Sequence, residues 1–146
     1  MGMEIEHKYL VKNDSYKSQS SAKSHILQGY LCREPERTVR VRVRDDKGFL
    51  TVKGKNSGAS RLEFEYEIPL QDAVDLLKLC IPPVLDKTRY IVPYCGNIWE
   101  VDEFHGDREG LVTAEIELKS ESESYPLPDF VGADVTGDSR YYNSNL

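Results

Sequence analysis

Ionisable side chains stand at every second position in many short segments of this chain. Residues 4–8 read Glu-Ile-Glu-His-Lys, and residues 38–44 place arginines between valines. Successive side chains of a β-strand point to opposite faces, so each segment predicts a strand with one charged face. Together these faces carry acids and bases in comparable number: Glu4, Glu6, Glu63, Glu65, Glu67, Glu100, Asp102, Glu115 and Glu117, against Lys8, Arg40, Arg42, Arg44, Lys53, Lys55, Arg61, Lys87 and Arg89.

The types of these side chains define the chemistry that they could support. Clustered carboxylates without Cys or His favour hard cations such as Mg²⁺ or Mn²⁺ over Zn²⁺. Arg binds phosphate oxygens through its two-pronged guanidinium, and Lys binds them as a point charge. Both sets together predict a site for a metal-bridged polyphosphate. Phosphoryl transfer at such a site requires mainly positioning, charge neutralisation and a water aligned for in-line attack.

The spacing of like charges indicates that a ligand is bound between them. Glutamates at 63, 65 and 67 lie on the same strand face and repel each other. For any single strand, an ordinary sheet with a solvated polar face is the alternative. Solvated faces usually mix Ser, Thr, Gln and Lys, however, whereas nearly every position here is ionisable. Matched partners and a multivalent ligand therefore explain the whole set better.

Roughly eight strands would carry these faces, and a closed sheet of that size has an interior as wide as its side chains. We expect strands at residues 3–10, 29–32, 38–44, 49–55, 61–68, 85–92, 98–104 and 111–118. Residues 71–80 have the apolar spacing of a helix that ends before Pro82-Pro83, and residues 20–27 predict a second short helix. If the sheet closes around its charges, the first helix, the docked C-terminal tail or a second subunit must cover its aliphatic outer faces.

The composition predicts one folded domain over residues 1–146. The formal net charge of −6 argues against a general nucleic-acid-binding protein, which usually carries a surplus of Lys and Arg. Cys32, Cys80 and Cys95 are widely spaced, which favours reduced thiols and a cytoplasmic location. No apolar run approaches the length of about 18 residues that a membrane-spanning helix needs, so no membrane contact is expected.

Residues 4–8 match the ExExK signature of the CYTH domain, also called the triphosphate tunnel metalloenzyme superfamily. Further blocks resemble the family in the same order along nearly the whole chain. They are Gln28-Gly29-Tyr30-Leu31, Val39-Arg40-Val41-Arg42, Leu50-Thr51-Val52-Lys53-Gly54-Lys55, Arg61-Leu62-Glu63-Phe64-Glu65, Lys87-Thr88-Arg89-Tyr90, Trp99-Glu100-Val101-Asp102, Ala114-Glu115-Ile116-Glu117 and Asp138-Ser139-Arg140-Tyr141-Tyr142-Asn143.

The resemblance implies a fold and an activity. The fold is a β-rich α+β domain, a closed eight-stranded antiparallel β-barrel (the triphosphate tunnel) with a few flanking helices. The implied activity is Mg²⁺- or Mn²⁺-dependent hydrolysis of inorganic tripolyphosphate, or a related triphosphate, to phosphate and a pyrophosphate-level product. In its length the chain looks most like the short bacterial inorganic triphosphatases. The superfamily also includes class IV adenylyl cyclases and thiamine triphosphatases.

Carried over position by position, the resemblance implies roles for the charged residues. The first metal ligands would be Glu4, Glu6, Glu115 and Glu117. A second ion, the attacking water or a structural ion pair would use Glu63, Glu65 and Asp102. The substrate phosphates would be held by Lys8, Arg40, Arg42, Lys53, Arg61, Lys87 and Arg89, with Arg140 closing one mouth from the tail. The candidate catalytic set is Glu6, as general base, with Lys8, Lys87 and Tyr30, the last of which has a core or wall position as its alternative.

Three other functions stay open at this point. A nucleotide-handling member would cyclise ATP or cleave a thiamine or nucleoside triphosphate, but it needs a base-binding pocket for which this short chain has little sequence. A non-catalytic polyphosphate-binding barrel would keep the cations and could discard the acids, yet the acids are present. A structural β-domain with a solvated charged face is the third. The expected partner is a small phosphoanion, and uncovered aliphatic faces would also suit a homodimer.

Overall fold

Antiparallel strands form a closed barrel in the computed structural model, which describes residues 2–146. The strands are β1 (Met3–Val11), β2 (Ala22–Cys32), β3 (Arg37–Arg44), β4 (Lys47–Gly54), β5 (Ser60–Ile68), β6 (Ile81–Tyr94), β7 (Asn97–Phe104) and β8 (Val112–Glu117). Their order is β5-β4-β3-β2-β6-β7-β8-β1, and β1 pairs back with β5. The predicted closed eight-stranded antiparallel barrel is confirmed.

The barrel closes through only a short pairing between its first and fifth strands. Residues 3–5 of β1 face residues 60–62 of β5. Further along, β1 also pairs with β9 (Val131–Asp134), a strand that the sequence pattern did not predict. The Val135 amide then donates to the Lys8 carbonyl at 2.9 Å. The C-terminal tail is therefore part of the barrel wall, which agrees with its predicted docking.

The hairpin between β3 and β4 follows directly from its sequence. Valines alternate along β3 because β-branched side chains pack well on a pleated surface. The turn uses Asp45 with a φ of 51°, a left-handed conformation that Asp tolerates better than most residues. Strand β4 consequently begins at Lys47 instead of at the predicted residue 49. The arginines of β3 are thereby held on the face opposite the valines.

Helix α2 (Leu70–Leu77) covers the outer side of β3 and β4, where a helix was predicted at 71–80. It packs Ala73 against Val41 and Val43. The helix lies so close to the sheet that a Cβ at Gly48 would be 2.5 Å from the Ala73 Cβ. Glycine at this position therefore lets the helix seat on the barrel.

The second short helix predicted at 20–27 is wrong. These residues belong mainly to β2, which pairs with β3 on one edge and with β6 on the other. Pairing on both edges satisfies the backbone amides and carbonyls of the segment, and such long-range pairing overrides a local helical preference. The predicted strand at 29–32 is the end of this longer strand. A short helix does occur earlier, as α1 (Tyr16–Gln19), and its Tyr16 packs edge-on against Tyr90.

The apolar strand faces point outward, and most of them are covered. Trp99 and Ile116 are buried together with Phe130 from the tail. The outer face of β5 differs, because Phe64 and Tyr66 remain exposed there. A second subunit at this surface remains a prediction. None of the helices within residues 2–146 is long and apolar enough to cross a membrane.

Candidate active site

The charged strand faces meet inside the barrel, around a cavity of about 190 Å³. They lie there because the opposite, apolar faces pack outward. The cavity is lined by most of the residues singled out from the sequence, namely Glu4, Glu6, Lys8, Tyr30, Arg40, Arg42, Lys53, Arg61, Glu63, Glu65, Lys87, Arg89, Glu115 and Glu117. Their individual roles remain predictions. Arg44, the last residue of β3, lines the cavity as well.

Four of the glutamates form a cluster: Glu4, Glu6, Glu115 and Glu117, hereafter the acid cluster. Glu6 on β1 lies directly opposite Glu117 on β8. Burial, Glu115 and Glu4 raise the pKa of Glu6 well above its usual range. Burial and nearby carboxylates, Glu4 first among them, also raise the pKa of Glu117. A bound cation would relieve this repulsion.

Two members of the acid cluster, Glu4 and Glu115, are paired with lysines. Lys53 Nζ lies 3.1 Å from Glu4 Oε1. Burial opposes ionisation of Glu4, but Lys53 and Arg61 together outweigh it and lower the pKa of that carboxyl. Lys8 Nζ lies 3.3 Å from Glu115 Oε2. Burial again opposes ionisation, yet Lys8 and further cations hold the pKa of Glu115 at about 2. Acidic and basic side chains thus alternate along the cavity wall.

Asp102 lies beneath the cavity surface, between two cations. Its carboxylate accepts from Lys87 Nζ at 2.7 Å and from Arg89 Nε and NH2 at 2.8 and 2.9 Å. Burial opposes its ionisation, but Arg89 and Lys87 outweigh this and hold the pKa of Asp102 well below its usual range. Both oxygens are therefore engaged by the protein. This geometry favours the structural ion pair over the metal ligand for Asp102.

Cations crowd together at the end of the cavity that Lys87 and Arg42 line. Burial, Arg89 and Arg42 lower the pKa of Lys87 to about 7, although Asp102 acts in the opposite direction. Burial, Arg40 and Arg89 lower the pKa of Arg42 to about 9. Burial is the largest cause of both shifts, and the neighbouring cations add to it. A bound phosphoanion would stabilise these side chains in their charged forms.

The C-terminal tail closes the cationic end of the cavity. Lys8 Nζ donates to the Tyr141 carbonyl at 2.9 Å. Asn143 Oδ1 accepts from Lys87 Nζ at 3.0 Å and from Gln28 Nε2 at 3.2 Å. Strand β1, which carries Lys8, and strand β2, which carries Gln28, are four steps apart in both directions around the barrel. The tail therefore crosses the full width of the barrel.

Arg140 is not the residue that closes this mouth. Its side chain is 78% exposed and is held by Asp138, with Arg140 NH2 at 2.7 Å from Asp138 Oδ2, and it does not line the cavity. Tyr142 and Asn143 line the cavity in its place. The predicted closure from the tail is thus present, but it is made by the residues that follow Arg140.

The opposite mouth is open and acidic. The side chains of Glu65 and Glu100 are 40% and 41% exposed, whereas that of Lys87 is 0% exposed. Thr51 fixes one side of this mouth, because its hydroxyl accepts from Arg40 NH2 at 3.1 Å and donates to Glu65 Oε2 at 2.9 Å. A ligand that enters here would pass these carboxylates before it reaches Lys87.

Sequence reasoning missed several uncharged residues that organise the cavity. Gln28, fully buried, was overlooked because most of its strand was predicted to be a helix. Asn143 and Tyr142 belonged to a recognised sequence block, but no role followed from their types. Thr51 was noted only as one residue of a strand. Alternation did offer a signal, since Gln28 and Thr51 stand on the same strand faces as Tyr30 and Lys53.

A closed barrel with alternating charges around one internal cavity defines a class of protein: a tunnel-type site for a small polyanion and its counter-cations. The CYTH domain family model matches residues 2–142 of the chain. The chain therefore belongs to the CYTH domain family. Triphosphatases of this family are in general metal-dependent.

Two relatives and one solved structure share the whole length of the chain. An inorganic triphosphatase from Acetivibrio thermocellus is 52% identical over 147 residues, covering 100% of this chain and 94% of that protein. An inorganic triphosphatase from Nitrosomonas europaea is 32% identical over 149 residues, covering 98% and 95%. The crystal structure of an inorganic triphosphatase superposes with a TM-score of 0.69 at 28% identity, covering 97% of this chain and 94% of that one.

The acid cluster fits a hard divalent cation by the chemistry of its donors. Within residues 2–146, no three acidic, His or Cys side chains converge into a complete metal site. Mg²⁺ does not need one, because it usually keeps several waters and binds through one or two carboxylates and substrate phosphates. The facing pair Glu6 and Glu117, with raised pKa values, supplies such carboxylates. The residues present therefore suit a cation that binds together with a polyphosphate.

Proposed function

We propose that this protein is an inorganic triphosphatase that hydrolyses tripolyphosphate to pyrophosphate and phosphate with Mg²⁺ or Mn²⁺. One observation carries the proposal: the same cavity is lined by the facing carboxylates Glu6 and Glu117 and by the cations Lys87 and Arg42. A polyphosphate with its cation would satisfy both. The full-length relatives named inorganic triphosphatase support the same substrate class.

In this proposal the chain positions the phosphates and neutralises their charge. Arg40, Arg42 and Lys87 hold the phosphate oxygens through donors fixed by the barrel, and Lys8 adds a further charge from β1. A divalent cation at the acid cluster would supply charge neutralisation and polarise a phosphoryl oxygen. Glu6 is the proposed base that accepts a proton from the attacking water as the terminal P–O bond breaks and pyrophosphate leaves.

Comparison of tripolyphosphate with ATP tests the proposed substrate. The tail closes one end of the cavity, and the open mouth carries the carboxylates of Glu65 and Glu100 instead of an aromatic base pocket. We expect kcat/KM for tripolyphosphate to exceed that for ATP by at least about tenfold, since ATP lacks a dedicated base site. Phosphate release under Mg²⁺ and Mn²⁺ measures both. Faster turnover of ATP or thiamine triphosphate, or formation of cyclic AMP, would instead support a nucleotide-handling enzyme.

A non-catalytic polyphosphate-binding barrel is distinguished by the same assay. Such a protein would bind tripolyphosphate tightly in calorimetry without releasing phosphate under either metal. Cations alone would be sufficient to bind a polyphosphate. The acid cluster lines the same cavity, and its presence favours catalysis over binding alone.

A further inference from the structure

Asn143 joins the tail to the cations at the closed end of the cavity. Its Oδ1 accepts from Lys87 Nζ and from Gln28 Nε2 at 3.0 and 3.2 Å. We infer that Asn143 is a positioning residue, which holds the Lys87 ammonium and, through Gln28, the Arg42 guanidinium in the orientation that receives the substrate phosphates. This inference rests on the proposed triphosphatase function and adds a residue from outside the barrel strands to its machinery.

The hydrogen bonds fix the direction of every amide in this group. Gln28 Oε1 accepts from Arg42 Nε at 3.0 Å and from Arg42 NH2 at 2.8 Å. The Gln28 Nε2 group must then donate elsewhere, and the Asn143 oxygen accepts from it. Because Gln28 is fully buried, loss of that acceptor would leave a donor without a partner. Arg42 is thus oriented by a chain of two amides.

Lys87 is oriented in a related way. A lysine ammonium has three N–H bonds, and within residues 2–146 Asp102 and Asn143 each accept one from Lys87. The tetrahedral geometry then fixes the direction of the remaining N–H bond, and Lys87 lines the cavity. Without Asn143 the ammonium could rotate about its bond to Cε while keeping its contact with Asp102. The donor available to a phosphate would then lose its fixed direction.

The neutral character of Asn143 suits this task. An amide oxygen orients two donors without adding charge, so the cations remain available to a phosphoanion. A carboxylate at position 143 would also accept both hydrogen bonds, but it would repel the phosphate that these cations hold. Removal of the acceptor and addition of charge should therefore have different kinetic signatures.

The tail has other attachments that should keep it docked when Asn143 is changed. Tyr142 Oη accepts from Asn56 Nδ2 at 3.0 Å, and Arg108 Nε donates to the Leu146 carbonyl at 3.1 Å. Asn145, in the same short 3-10 turn as Asn143, donates to the Ser139 carbonyl at 2.8 Å and does not line the cavity. Asn145→Ala is thus a matched control for damage to the tail alone.

Steady-state hydrolysis of tripolyphosphate with Mg²⁺ tests the inference. For Asn143→Ala we expect kcat to fall about tenfold or more with a smaller change in KM, the effect of losing a hydrogen bond to a charged group. For Asn143→Asp we expect mainly a higher KM. Asn145→Ala should behave like wild type. Combining Asn143→Ala with Gln28→Ala should cost less than the sum of the two single changes, because both act in one network.

Equal loss of activity in Asn143→Ala and Asn145→Ala would overturn the inference, because disruption of the tail would explain both. Wild-type kinetics for Asn143→Ala would overturn it as well, while leaving the proposed function intact. If the wild-type protein itself releases no phosphate, the proposed function fails, and calorimetric binding of tripolyphosphate then decides. Weaker binding by Asn143→Ala than by Asn145→Ala supports the positioning role, and equal or absent binding refutes it.

Discussion

Glu6→Gln should abolish most activity and at the same time make the metal-free protein more stable. Glu6 faces Glu117, and burial with Glu115 and Glu4 raises its pKa well above the usual range. A raised pKa in the folded state means that the ionised form destabilises folding near neutral pH. Glutamine keeps the shape and removes the charge, so unfolding in urea with a chelator should require more denaturant than for wild type.

The same change removes a proposed metal ligand and base. We expect kcat on tripolyphosphate to fall by at least about 100-fold, in the range for loss of a positioned acid or base. Glu67→Gln is the matched control, because it removes the same charge from β5 at a residue that does not line the cavity. Retained activity in Glu6→Gln would show that Glu6 has no catalytic role. Lower stability would show that the acid cluster is not under electrostatic strain.

Asp102→Asn should destabilise the protein by about 3–5 kcal/mol, the usual cost of leaving a buried charge without its partner. Lys87 and Arg89 both donate to the Asp102 carboxylate, whose side chain is 1% exposed. Asparagine has nearly the same shape, but its Nδ2 group would face donors instead of accepting from them. Urea unfolding at pH 7 measures the loss.

The pH dependence of stability provides a second measure of Asp102. Its pKa is held well below the usual range in the folded protein by Arg89 and Lys87, which outweigh burial. The unfolded chain therefore binds the proton first, and the stabilisation is present above about pH 4 and lost as the pH falls through the acid range. The stability of Asp102→Asn should lack this dependence on pH in the acid range. Asp86→Asn changes a half-exposed carboxylate, on the same strand as Lys87, that pairs with His25, and it should cost much less stability. Equal losses in both variants would contradict the role given to Asp102.

Strand alternation predicted most of the strands and most of the cavity-lining residues because each segment is amphipathic by itself, whereas closure of the sheet was implied by the family resemblance. Arg40 and Arg42 must lie opposite the valines of β3, whatever the rest of the chain does. The error at residues 20–27 arose where that local signal is weak. Ser, His and Lys there do not alternate with apolar residues, and β2 is defined by its two neighbouring strands instead.

Features that depend on contacts distant in sequence could not be inferred from residue types. Asp102 has the type of a metal ligand, yet the structure surrounds it with two cations from a neighbouring strand. Arg140 has the type of a phosphate-binding residue, but Asp138, two positions away, engages it. Asn143 becomes part of the cavity only because the tail crosses the barrel to reach Lys87. The contacts that each side chain makes in the folded barrel, and not its residue type, therefore decide whether it belongs to the site.

A crystal structure of Glu6→Gln with tripolyphosphate and Mg²⁺ would show directly whether the barrel interior binds the substrate. We expect the phosphate chain to lie inside the barrel, with its oxygens on Arg40, Arg42 and Lys87 and its cation beside Glu4 and Glu117. Tripolyphosphate bound on the outer surface, or an interior that stays free of it at saturating concentration, would contradict a substrate site inside the barrel.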